Sequence, residues 1–149
     1  MRNLNYRRGL ILLALSGSLS CAKNTFNPPE PAVTLAGRYE ARLTAPASQA
    51  RFDVLSMKID QVTASTVAVQ LRASLQGKTV DSLSYSKAVV TQQVSNTSFR
   101  KGCVSYFIQL APGQPSNVMT MTCQEENVFS YAYAPAGQPQ GTRFKLKKL

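Results

Sequence analysis

The chain has 149 residues, a formal net charge of +10 and no histidine or tryptophan. At roughly 100–200 residues per domain, that length allows one folded domain and excludes a large multi-site enzyme. Without histidine there is no Ser-His or Cys-His nucleophile pair and no imidazole ligand, so no catalytic residue, metal site or cofactor is predicted.

Residues 1–20 have the layout of a secretory signal. Arg2, Arg7 and Arg8 make a positive start, Leu10 to Leu15 an apolar centre, and Ser16 to Ser20 an end of small residues plus Leu19. The apolar stretch from Gly9 to Leu19 is 11 residues, against the ~20 that a spanning helix needs. Ser18-Leu19-Ser20-Cys21 resembles the lipobox of bacterial lipoproteins. That resemblance implies that Cys21 becomes the acylated first residue of the mature chain, anchored to membrane lipid. Ala22 in place of the aspartate that retains such proteins at an inner membrane implies an outer-membrane location in the cell envelope. Arg7-Arg8 is also similar to a twin-arginine export motif, a rival route to the same compartment.

Residues 21–36 are expected to be the lipidated cysteine and a Pro-rich tether. Phe26-Asn27-Pro28-Pro29-Glu30-Pro31 opposes helix and central strand alike. The folded body is then expected over 37–149.

That body reads as all-β. Strands are expected from Arg38 to Leu43, around Leu55-Met57-Ile59, and from Thr66 to Gln76, where Val67, Val69, Leu71 and Ala73 alternate with Ala68, Gln70, Arg72 and Ser74. Period two sends one set inward and the other to solvent. Phe52, Leu55 and Ile59 also suit a helix capped at Ser48, with strand preferred. Thr79 to Ser95 has room for one bent strand or two. Val104 to Leu110, Phe129 to Tyr133 and Phe144 to Leu146 alternate in the same way, and all eight prolines fall outside these runs. About eight short strands in sequence predict an antiparallel up-and-down barrel or meander, with a β-sandwich as the alternative. Gly37-Arg38-Tyr39 near the start and Arg143 near the end resemble lipocalin-like barrels, with Tyr39 standing where that group has tryptophan.

Three cysteines, at 21, 103 and 123, are an odd count for an exported chain. Lipidation of Cys21 leaves Cys103 and Cys123 as a candidate disulfide, the other reading being two free buried thiols. Ala111-Pro112-Gly113-Gln114-Pro115-Ser116 is a turn signal. A hairpin centred on Gly113 sets Cys103 directly opposite Cys123.

Several motifs that suggest chemistry lack their context. Gly77-Lys78-Thr79 has Arg72 where a phosphate-binding loop needs its first glycine. The Ser-x-x-Lys spacings at Ser84 and Ser98 put the two side chains on opposite faces of a strand. Removing the signal leaves 14 basic and seven acidic residues, a charge of +7. Arg143, Lys145 and Lys147 share one strand face with Lys148 beside them, a candidate basic surface; nucleic acid is not an expected partner.

Two functions follow as expectations. The first is a lipid-anchored, non-catalytic binding module for a small apolar or amphipathic ligand. Its candidate lining is Val67, Val69, Leu71, Tyr106, Ile108, Phe129, Tyr131 and Tyr133. The second is an envelope interaction or inhibitor protein that binds another protein or a polymer through loops or the basic face.

Overall fold

The computed structural model describes residues 28–43, 51–97, 100–114, 117–134 and 142–149. The expected signal segment over 1–20 and the expected lipidation at Cys21 lie outside these residues. Eight strands follow one short helix in chain order: α1 (Pro31–Leu35), β1 (Gly37–Arg42), β2 (Val54–Gln61), β3 (Thr66–Leu75), β4 (Lys78–Thr97), β5 (Arg100–Gln109), β6 (Val118–Met121), β7 (Val128–Tyr133) and β8 (Thr142–Lys148). Each strand pairs antiparallel with the next and β8 returns to β1, so the sheet closes as an up-and-down barrel. Closure removes the sandwich alternative, and Val54–Gln61 takes the strand form rather than the helical one.

Alternation builds the interior. Leu55, Met57 and Ile59 of β2 and Val67, Val69, Leu71 and Ala73 of β3 point inward and are almost fully buried, with Ser56, Lys58, Gln70 and Arg72 between them facing out. Tyr39, Ile108, Met119, Phe129, Tyr133 and Leu146 complete the core from the other strands. Tyr39 packs edge-on against Phe129, with ring centroids 5.1 Å apart. At the opposite end Phe52 sits edge-on to Tyr133 at 5.4 Å. An eight-stranded barrel has an interior just wide enough for its side chains, and these aromatic and aliphatic groups occupy it.

The segment from Thr79 to Ser95 forms a single strand within β4, which is 20 residues long. Its first part pairs with β3 and its second with β5. Register shifts opposite Ala68 and beside Ala73 bend it around the barrel, as bulges do.

Two expectations are corrected. Pro31–Leu35, expected to belong to the tether, form a helical turn that packs on the barrel and buries Ala32 and Leu35. Proline is favoured in the first turn of a helix, where its missing N–H costs nothing. The β5–β6 hairpin is shifted by one residue from the expected register: Ile108 faces Met119 and Tyr106 faces Met121. In the connecting loop the Gln114 N–H bonds the Ala111 carbonyl and the Asn117 N–H bonds the Gln114 carbonyl, a pattern unlike a single reversal centred on Gly113. Cys103 and Cys123 are nevertheless joined, with Cα atoms 5.4 Å apart. β6 ends at Met121, so Cys123 lies beyond the ladder and adjusts to its partner.

Candidate functional site

The barrel has two unlike ends. One carries α1, the disulfide and the turn before β7. The Ala32 N–H bonds the Ala64 carbonyl at 3.3 Å, which ties α1 to the β2–β3 turn. Tyr39 donates its hydroxyl to the Leu35 carbonyl at 2.9 Å, and Lys148 Nζ donates to the Thr34 carbonyl at 3.1 Å. Burial pushes the Tyr39 phenol up to about 12, because the charged form would lose its water there.

Beside this plug lies a cleft of about 640 Å³. Its floor is Tyr106 of β5 and Met121 of β6, each 6% exposed. Pro29 and Thr34 form one wall and the Cys103–Cys123 bridge another, with Thr122, Glu126 and Asn127 at the rim. Asn127 has a positive φ of 63°, and its carbonyl accepts the Lys148 N–H at 2.8 Å. The rim turn is thereby fastened to β8. Among the described lining residues Glu126 is the one charged side chain, so an apolar floor meets a polar rim.

The opposite end carries a tyrosine network. Asn117 donates to the Tyr85 hydroxyl at 3.3 Å and accepts from the Tyr131 hydroxyl at 3.2 Å. Tyr133 donates to the Asp81 carboxylate. Burial raises the pKa of Tyr131 and Tyr133, and the neighbouring Tyr85 and Asp81 reinforce the two shifts respectively. These bonds join β7 to the first half of β4 across the mouth.

Of the eight residues expected to line a ligand space, Tyr106 borders the cleft. Val67, Val69, Leu71, Ile108 and Phe129 are fully enclosed in the core, while Tyr131 and Tyr133 belong to the far mouth. Arg143, Lys145 and Lys147 face solvent on β8, with Lys145 paired to Glu125 at 2.5 Å. Lys148 differs from that expectation: it turns inward, bonds α1 and lies 5.8 Å from the centre of the Tyr39 ring. Thr34 and Thr122 were not legible as site residues, because each reaches the cleft only through the packing of α1 and the ending of β6. Among the described residues no cluster of three or more His, Cys, Asp or Glu side chains converges as a metal site.

Comparison of the chain with protein-family models, with curated proteins and with solved structures found no match.

Proposed function

We propose that this protein is an exported, lipid-anchored binding module of the cell envelope that holds a small amphipathic molecule in the cleft beside α1. The carrying observation is the cleft itself: about 640 Å³ with an apolar floor and a polar rim, within the ~300–1,000 Å³ usual for small-molecule sites. The disulfide and the fastened rim turn hold its walls before any ligand arrives, and a preformed site lowers the ordering cost of binding. Placement adds support. Six residues separate Cys21 from Pro28; fully extended they reach about 20–25 Å. An acylated Cys21 would hold the cleft-bearing end close to the lipid from which an amphiphile is drawn.

The test is native mass spectrometry of the full chain after gentle detergent extraction, followed by titration with the fluorescent fatty acid cis-parinaric acid. A co-purified amphiphile is expected, together with saturable probe binding that Thr122→Trp, which fills the rim, weakens about tenfold. Absence of both an adduct and saturable binding overturns the reading.

A further inference from the structure

The outer wall of the barrel carries a second built feature, which shares no lining residue with the cleft. Register places Arg38 beside Lys58 and Lys58 beside Gln70, forming one row across β1, β2 and β3. The next row, two residues along, runs Lys147, Glu40, Ser56, Arg72 across β8, β1, β2 and β3. Each row continues onto β4 with a serine, Ser84 beside Gln70 and Ser82 beside Arg72. Strands lie about 4.8 Å apart, so each row is a track of regularly spaced polar side chains. A groove of about 490 Å³ runs among Arg38, Glu40, Ser56, Lys58, Gln70 and Arg72.

The charges in this groove are unevenly satisfied. Glu40 is taken by Arg42 at 2.6 Å and Asp60 by Lys58 at 2.7 Å. Arg38 and Arg72 are exposed, and among the described residues neither guanidinium has an acidic partner. Lys147 stands outward in the same row with none either. The two unneutralised guanidiniums stand diagonally across β1, β2 and β3, with Gln70 two residues from Arg72 on β3 and Ser56 between the arginines on β2; the Ser56 hydroxyl donates to the Arg72 carbonyl at 3.3 Å and keeps its lone pairs as acceptors. Guanidinium groups suit carboxylate, sulfate or phosphate oxygens; amides and hydroxyls suit neutral hydroxyl groups.

We infer that this groove binds an anionic glycan, with Arg38 and Arg72 taking its acidic groups and Gln70 and Ser56 its sugar hydroxyls. A flat anionic membrane fits the face less well. A barrel wall is convex, and of the large apolar side chains exposed among the described residues only Leu149 borders the groove, so little would insert into lipid. A narrow track that sets guanidinium groups beside amide and hydroxyl groups, as Arg72 stands beside Gln70 and Ser56, fits a polymer strand. The site stands independently of the cleft beside α1.

The test uses the full chain in detergent micelles and three probes: a heparin dodecasaccharide, inorganic polyphosphate, and vesicles of phosphatidylglycerol with phosphatidylcholine. Binding is measured at about 0.15 M salt, where exposed charges farther apart than ~8 Å are screened. Arg38→Ala/Arg72→Ala is expected to weaken dodecasaccharide binding about tenfold or more, with a shallower salt dependence. Lys78→Ala/Lys87→Ala, which removes equal charge from exposed sites on β4, changes it less than about twofold. Gln70→Leu keeps the charge; it lowers dodecasaccharide affinity and leaves polyphosphate affinity unchanged. All these positions are exposed, so unchanged thermal unfolding separates lost binding from lost folding. The inference is overturned if both double variants lose binding equally, if Gln70→Leu is silent toward the dodecasaccharide, or if the vesicles bind more tightly than the dodecasaccharide.

Discussion

The Tyr39 hydroxyl donates to the Leu35 carbonyl at 2.9 Å, joining the first inward residue of β1 to the last residue of α1. Tyr39 is fully buried and Leu35 is too, so no water replaces this bond if it is lost. Removing one partner of a buried hydrogen bond leaves the other unsatisfied, at about 1–3 kcal/mol. Tyr39→Phe keeps the ring against Phe129 and removes only the donor. The expected result is a loss of about that size in urea unfolding, with an unchanged denaturant slope.

The same tyrosine sets an alkaline limit. The Tyr39 phenol is raised from 10.0 to about 12 in the fold, and those of Tyr131 and Tyr133 are raised as well. Each is neutral when protonated, so above pH 10 the unfolded chain releases these protons while the folded barrel keeps them. Bound protons are then fewer in the unfolded state, and stability falls as pH rises. The contribution is complete below pH 10 and declines as pH rises from there through about 12 for Tyr39. Thermal unfolding measured at intervals from pH 8 upward should show a plateau and then a decline. Tyr39→Phe should make that decline shallower; an identical slope would contradict the assignment.

Much of the fold was readable in the chain because period-two alternation fixes which face each residue takes. Val67, Val69 and Leu71 had to go inward together once Gln70 and Arg72 stayed out. What alternation leaves open is which outward residues become neighbours. Arg38, Lys58 and Gln70 lie on three strands, and only the β1–β2–β3 register unites them. The cationic cluster legible in the sequence was therefore the consecutive one on β8. The β5–β6 register differs by one residue from the expected one, because sequence cues mark a reversal near Gly113 without fixing which loop hydrogen bonds form, here Gln114 to Ala111 and Asn117 to Gln114. The helix Pro31–Leu35 was hidden because proline marks both linkers and helix starts. Its available signal was the apolar pair Ala32 and Leu35, three residues apart and both buried.

Gly37 tests how closely β1 and β8 approach. Its φ is +146°, and a Cβ there would stand 2.9 Å from Lys148 Cε. Gly77, in the β3–β4 turn, has φ +79° with open space around its Cβ direction. Gly77→Ala thus meets backbone strain alone, about 1–2 kcal/mol. Gly37→Ala meets strain and also displaces the lysine that bonds the Thr34 carbonyl. Chemical denaturation should rank Gly37→Ala as the more destabilising of the two. Adding Lys148→Ala to Gly37→Ala should cost less than Lys148→Ala costs alone, since the first change already disturbs that bond.

The disulfide closes a chain segment with a sequence separation of 20. Restricting the unfolded chain over such a loop stabilises the fold by about 3 kcal/mol in the chain-entropy model. Cys103→Ser/Cys123→Ser should show a loss of that order in urea unfolding, and reduction of the unaltered protein should approach the same value. The bridge also walls the cleft beside α1, so cis-parinaric acid binding should weaken in the double variant even at temperatures where the barrel stays folded.

Leu35 decides whether α1 is a part of the barrel or an ornament on it. Its side chain is completely buried, whereas Val33 on the same turn is 54% exposed. Truncating a buried leucine costs about 2–5 kcal/mol, according to how far the surroundings collapse, and an exposed valine costs within about 0.5 kcal/mol. Leu35→Ala and Val33→Ala should therefore separate widely in chemical denaturation. The position of α1 links this to the cleft, because Thr34, between the two, forms part of its wall. Amide hydrogen exchange should locate the effect: in Leu35→Ala, protection falls first at the Ala32 and Ala36 amides, which bond the Ala64 and Ala32 carbonyls. Protection at the central strands should fall only as far as the global stability does, since the Ile108–Met119 and Leu71–Leu83 pairs lie in ladders of their own. Equal losses in both variants would mean that the barrel end is held by β1 and β8 alone and that the helix adds no packing energy.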